Sequence, residues 1–149
     1  MDVKLKEFDM VDYFRFLKLK FDKQYAKELE DSFFGYLKRG IKNIFNKRRA
    51  YKYSILVNNK LAGSIAIYKN THKNYELGFF VLREFRNKGV AIKAVENILE
   101  IAFKKLSFRK IKAVTDESNI ISQKVLKKCG FEKVKIDKKE KEIVWEHKR

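Results

Sequence analysis

Proline is absent from the 149 residues, and cysteine and tryptophan occur once each. With no proline, no Gly/Ser-rich stretch, no internal repeat and no low-complexity tract, nothing marks a linker, and residues 1–149 read as one domain. The lone Cys129 excludes an internal disulfide and gives no sign of an oxidising compartment. His72 and His147 are the only histidines and lie far apart, so no metal-ligand spacing exists and no metal is expected. No apolar run approaches the roughly 20 residues that cross a bilayer, so no membrane partner is expected. Met1 to Met10 mixes charged and apolar residues and lacks the uninterrupted apolar stretch of a signal peptide. The expectation is a cytoplasmic protein. Acidic residues are scarce, 19 against 36 Lys and Arg, for a formal charge of +17. A field of that sign attracts polyanions such as nucleic acid, ribosomes or phosphorylated cofactors. The lysines are scattered along the chain rather than massed in one block, so the charge permits such a partner without requiring one.

Apolar residues make up 45% of the chain and aromatics 14%, enough for a packed core. Val3 to Phe8 alternates apolar with charged residues and predicts a strand. Asp9 is placed to cap a helix from Met10 to about Leu19. A longer helix is predicted from Lys23 to about Lys38, with Tyr25, Leu29, Phe33 and Leu37 at four-residue steps and Gly40 interrupting it. Tyr51 to Val57 and Leu61 to Tyr68 flank Asn58-Asn59, residue types that tolerate the positive φ of a tight hairpin. A turn at Asn70 to Asn74 leads to the strand Tyr75 to Val81. After Gly89 comes the strongest helical pattern, with Ala91, Val95, Ile98, Ala102 and Leu106 as its apolar stripe. Ile111 to Thr115 predicts a strand, Ile120 to Lys128 a helix ended by Gly130, and Phe131 to Ile136 and Ile143 to His147 two more strands. The order β-α-α-β-β-β-α-β-α-β-β implies an α/β (α+β) fold: a mixed, mostly antiparallel sheet of about seven strands with helices on both faces.

The chemically informative stretch begins at Tyr75-Glu76-Leu77-Gly78-Phe79-Phe80-Val81 and runs through Arg86-Asn87-Lys88-Gly89-Val90-Ala91 into that helix. A strand passing through a small-residue turn into a helix exposes unpaired N–H groups, which with the helix dipole attract an anion. Gly89 leaves room for a phosphate against the backbone, and Arg86 and Lys88 add positive charge. Downstream lie Asn119-Ile120-Ile121-Ser122 and Val125 to Phe131. Together the two segments resemble the GNAT N-acetyltransferase superfamily. Its Arg/Gln-x-x-Gly-x-Gly/Ala signature matches Arg86, Gly89 and Ala91, and its Asn-x-x-Ser and Gly-Phe element matches Asn119, Ser122, Gly130 and Phe131. The match covers Tyr75 to about Val134. Its style is similar to the branch that includes ribosomal-protein-serine acetyltransferases.

The resemblance implies acetyl-CoA as cosubstrate and an amine as acceptor. It implies that Arg86, Asn87, Lys88, Gly89, Val90 and Ala91 hold the diphosphate through their backbone. It also implies that Phe79, Phe80 and Val81 pair with the pantetheine arm as if it were a strand, and that Asn119 and Ser122 lie beside that arm. Lys88, Lys124 or Lys128 is placed to meet the nucleotide phosphates, or is simply a solvated lysine. Transfer requires an ammonium to lose a proton, an oxyanion donor, and a departing thiolate that a general acid assists. Many members carry a tyrosine as that acid where this chain has Leu126; Ser122 is the nearest hydroxyl, and it reads equally as a group bonded to its own helix. For the base the ranking is Glu76, then Glu117 beside Asp116, with a water-mediated or absent base as the competitor. The acceptor stays open among protein N-termini and small-molecule amines; the basic surface leans toward a ribosomal or other RNA-associated protein, and the assembly toward a monomer or homodimer. The alternative is a catalytically weak coenzyme-binding or RNA-associated module with the same fold. Cys129, Tyr68 and Trp145 are read as packing residues, and Phe33, Phe34 and Tyr36 as core that also walls the acceptor side.

Overall fold

The structure, a computed structural model, describes residues 1–23, 25, 50–69 and 74–149. Of the predicted helix from Lys23 to Lys38 only Lys23 and Tyr25 are described, both in turn geometry; its remainder, the break at Gly40, the aromatics Phe33, Phe34 and Tyr36, and His72 with most of its turn lie outside the described residues. The described elements are β1 (Val3–Glu7), α1 (Met10–Lys20), β2 (Ala50–Val57), β3 (Lys60–Lys69), β4 (Tyr75–Val81), α2 (Val90–Glu100), β5 (Lys110–Asp116), α3 (Ile120–Lys128), β6 (Glu132–Asp137) and β7 (Glu142–Lys148). The strands form one seven-stranded sheet in the order β1-β2-β3-β4-β5-β7-β6. Every pairing is antiparallel except that of β4 with β5.

Local chemistry sets the element ends. The Asp9 carboxylate accepts from the Asp12 amide at 2.9 Å and starts α1. Asn58 and Asn59 both take positive φ, 47° and 65°, the geometry of a two-residue hairpin between β2 and β3. The Asn119 side chain accepts from the Ser122 amide at 3.1 Å and starts α3. Gly130 ends α3 at φ 82°, where the Phe131 amide returns to the Leu126 carbonyl at 3.0 Å.

Two cores flank the sheet. On one face α2 and α3 bury Val90, Val95, Ile98 and Leu126 against Ile55, Ile65, Leu77, Ile111 and Trp145. On the other, Phe16 of α1 packs with Tyr25 and Leu82. α1 is pinned there by the buried Asp12 carboxylate, which accepts from the Ser54 hydroxyl at 2.8 Å and meets the Lys6 ammonium at 2.7 Å. Helices therefore cover both faces, as the alternation of elements implies.

The apolar stripe of α2 is wider than the sequence reading. Val95, Ile98 and Ala102 are buried as expected, Ala91 and Leu106 pack against the core at its margins, and Val90, Ala94 and Leu99 join them. The helix starts directly after Gly89 and faces a sheet wide enough to bury two adjacent rows. Its end widens into a π turn over Ile101–Lys105, so Leu106 falls outside the regular stripe.

Candidate active site

The parallel contact between β4 and β5 is short: Glu76 pairs with Lys112 and Leu77 with Ala113, and the register ends there. Beyond it the two strands diverge, so the edge of Gly78 to Val81 that faces β5 has no neighbouring strand. This wedge opens toward the start of α2. Gly63 makes the geometry of β4 attainable from the other side: a Cβ there would lie 2.1 Å from the Phe80 carbonyl oxygen. Tyr75 fixes the near end of the strand by stacking on Phe108, ring centroids 3.8 Å apart.

At the open end the chain turns through Arg83–Phe85 into the 86–89 loop. Asn87 has φ 57° and Gly89 φ 75°, left-handed backbone that aims successive N–H groups outward. An added Cβ at Gly89 would meet nothing within 4 Å, so the space in front of this loop is open. α2 begins here with no side-chain cap and no acid in its first turn. Its first amides therefore point at that space with the positive end of the helix dipole behind them.

The basic residues of the loop brace it. The Arg86 Nε donates to the Val81 carbonyl at 2.7 Å, and its guanidinium lies 5.6 Å from the Phe80 ring centre. The Lys88 ammonium donates to the Glu84 carbonyl at 2.8 Å. Glu84 in turn accepts from the Tyr25 hydroxyl, and Arg83 lies over the Tyr25 ring at 5.8 Å. Arg86 thus ties the loop to the end of β4, with its charge held beside the loop.

The candidate acid–base residues are distributed about the wedge. Strand alternation sends Glu76, Gly78 and Phe80 to the α1 face, and Leu77, Phe79 and Val81 to the α2–α3 face. Glu76 sits at the closed end and its carboxylate accepts from the Tyr68 hydroxyl at 3.1 Å. Ser122 is half-buried in the first turn of α3, on the opposite face. Glu117 is exposed just past the end of β5, its backbone N–H donating to the Lys141 carbonyl at 2.8 Å and its own carbonyl accepting from the Gln123 side-chain Nε2 at 2.9 Å. Glu117 lies five positions beyond Lys112, the partner of Glu76, or roughly 16 Å of extended chain. Glu76 and Glu117 therefore occupy opposite ends of the wedge.

Asn119 spends its side-chain oxygen on the α3 cap, leaving its amide as the donor. Leu126 is 1% exposed in the core. Cys129 is buried against α2, with its thiol 3.7 Å from the Ile92 carbonyl, and burial pushes that thiol up to about 11. Trp145 packs in the core and donates to Thr115 at 3.0 Å. Among the described residues no group of three or more His, Cys, Asp or Glu side chains comes together, and no helix is long and apolar enough to cross a membrane. Sequence reasoning overlooked Gly63, and took Tyr68 for a packing residue and Tyr25 for part of a helix stripe. Tyr68 meets Glu76 through the cross-strand register, which residue patterns do not reveal. Gly63 carried a legible signal, a glycine inside an apolar strand.

Comparison with known proteins agrees with this fold. Residues 9–132 match the Acetyltransferase (GNAT) domain family. An uncharacterized N-acetyltransferase of Bacillus subtilis (strain 168), YnaD, is 29% identical over 133 residues, spanning 85% of this chain and 77% of that protein. Mycobacterium smegmatis RimJ, solved with a coenzyme A disulfide, superposes with a TM-score of 0.79 at 17% identity, over 98% of this chain and 81% of that one. A candidate ribosomal-protein-serine acetyltransferase from Vibrio cholerae gives 0.74 at 17% identity, over 99% and 94%. These two structures share the fold. The chain belongs to the acetyltransferase (GNAT) domain family and is an acetyl-CoA-dependent N-acetyltransferase.

Proposed function

We propose that the chain moves an acetyl group from acetyl-CoA onto a primary amine inside the β4–β5 wedge. The observation that carries this reading is the end of strand pairing at Leu77, directly in line with the open, uncapped start of α2. In this reading the diphosphate rests on the amides of Arg86 to Ala91. The pantetheine arm takes the place that β5 vacates beside Phe79, Phe80 and Val81, with the Asn119 amide alongside. Coenzyme enters on the α2–α3 face and the amine from the α1 face, and the thioester lies between them.

Glu76, on the amine side, takes the ammonium proton directly or through one water. The neutral nitrogen attacks the thioester carbon, and a free N–H of β4 holds the oxyanion. The C–S bond then breaks. The thiolate leaves with a pKa near that of a cysteine, roughly 8.5, so proton donation assists without being required. Ser122, on the coenzyme side, is the group placed to assist, and Glu117 at the mouth is the second-ranked base. A protein N-terminus or a small-molecule amine fits as acceptor. The +17 charge disfavours free polyamines and favours an amine on a ribosomal or other RNA-associated protein, in keeping with the Vibrio cholerae neighbour. The composition fits a cytoplasmic site of action.

Acetyl-CoA-dependent thiol release, measured over peptide and small-molecule amines, tests the reading. Glu76→Gln should lower kcat roughly 100-fold with coenzyme affinity unchanged. Tight coenzyme binding without turnover on any amine would instead favour a module that has lost the reaction.

A further inference from the structure

On the side of α3 turned away from α2 lies a second hollow, a groove of about 510 Å³ between α3 and the edge strand β6. It is separate from the wedge: Val125, Leu126 and Cys129 turn toward the core and α2, while Ile120, Lys124 and Lys127 line the opposite side of the helix. Phe131 and Trp145 form its floor, and Lys133 rises from β6 with its ammonium 5.2 Å from the indole centre. Lys124, Lys127 and Lys133 form no ion pair with any described residue. The lining acid, Glu132, pairs across the strands with Glu146 and so points to the other face from Lys133 and Trp145. Ile136 pairs with Ile143 on the groove's face, and Ile120 and Ile136 are 52% and 55% exposed.

An apolar trough rimmed by three uncompensated ammonium groups selects an anion that also carries an apolar group. Nucleobases fit poorly: Trp145 and Phe131 are 2% and 3% exposed, leaving no ring face for stacking. A second copy fits poorly, because each chain carries +17 and would bring lysine against lysine. Strand addition to β6 is discouraged by the register shift between Lys133 and Lys135. We propose that this groove docks an extended acidic peptide segment of a partner protein, seating an aliphatic side chain between Ile120 and Ile136 while its carboxylates meet Lys124, Lys127 and Lys133. The site is independent of coenzyme binding and acetyl transfer.

The test uses short fluorescein-labelled peptides, blocked at both ends, of alternating Glu and Leu, with Glu–Ser and Lys–Leu peptides as controls. Fluorescence anisotropy at physiological salt should show saturable binding of the Glu–Leu peptide, at least about tenfold weaker binding of Glu–Ser, and none of Lys–Leu. Lys127→Glu combined with Lys133→Glu, and separately Ile120→Ser, should each weaken the Glu–Leu peptide at least about tenfold, while coenzyme A binding stays at the parent level and so reports an intact fold. Absence of saturable Glu–Leu binding, or binding undiminished in both variants, overturns the proposal. So does a preference for oligouridylate, or for phosphatidylserine vesicles, that the same variants abolish.

Discussion

Replacing Gly89 by aspartate, with Gly89→Ala beside it, separates two roles of one position. Both variants force a side chain onto a backbone at φ 75°, a strain of roughly 1–2 kcal/mol. In neither does the added Cβ clash, since nothing lies within 4 Å of it. Both should therefore lose a similar, modest amount of stability, a few degrees in Tm for a domain of this size. Their effects on coenzyme should diverge. An aspartate carboxylate about 5 Å from a diphosphate charge, at an effective dielectric of about 20, is repelled by about 3 kcal/mol per charge. That corresponds to a loss of at least about 100-fold in affinity. Alanine adds no charge and should cost only several-fold. Calorimetric titration with coenzyme A gives the ratio of the two. Equal affinities for the aspartate and alanine variants would refute the placement of the diphosphate, because the added carboxylate charge is the main difference between them.

Gly63→Ala puts a methyl 2.1 Å from the Phe80 carbonyl, so β3 or β4 must shift; urea unfolding should show a loss of about 1–3 kcal/mol and the KM for acetyl-CoA should rise. Parent-like stability and KM would show that β4 is not held by that contact. Arg86→Ala removes the bond to Val81 and the contact with Phe80. It should raise the coenzyme Kd roughly tenfold, with kcat at saturation nearly unchanged. A fall in kcat at constant Kd would instead make Arg86 part of the chemistry. For Cys129, burial holds the folded-state thiol at about 11, above its usual value. The protonated form is favoured in the folded state, so its contribution to stability is complete below the ordinary thiol pKa and fades as pH rises through about 11. Folded protein at pH 8 should accordingly react far more slowly with a thiol reagent than unfolded protein; equal rates would contradict the burial.

Much of this architecture was legible in the residues. The strand Tyr75–Val81 and the helix Ile120–Lys128 fall where alternation, the Asn119 cap and Gly130 place them. The same local signals located the hairpin at Asn58-Asn59. What stayed hidden depends on partners distant in sequence. Period-two patterns say that β4 and β5 are strands, but not that they pair for two residues and then part. The Tyr68–Glu76 bond follows from hairpin register, and the turning of Arg86 onto Val81 from where β4 ends. The buried face of α2 is wider than the single row read from the residues, because a helix on a broad sheet buries more than one row. The groove outside α3 arises from β6 lying beyond β7, an order that the chain sequence of elements conceals.

The most direct measurement is a crystal structure of the protein with coenzyme A. The expected result has diphosphate oxygens within hydrogen-bond distance of the amides at positions 87–91, and the thiol beside β4 near Gly78, within one water of the Glu76 carboxylate. A coenzyme bound elsewhere, or one whose thiol faces Glu117 at the mouth with Glu76 remote, would contradict the account.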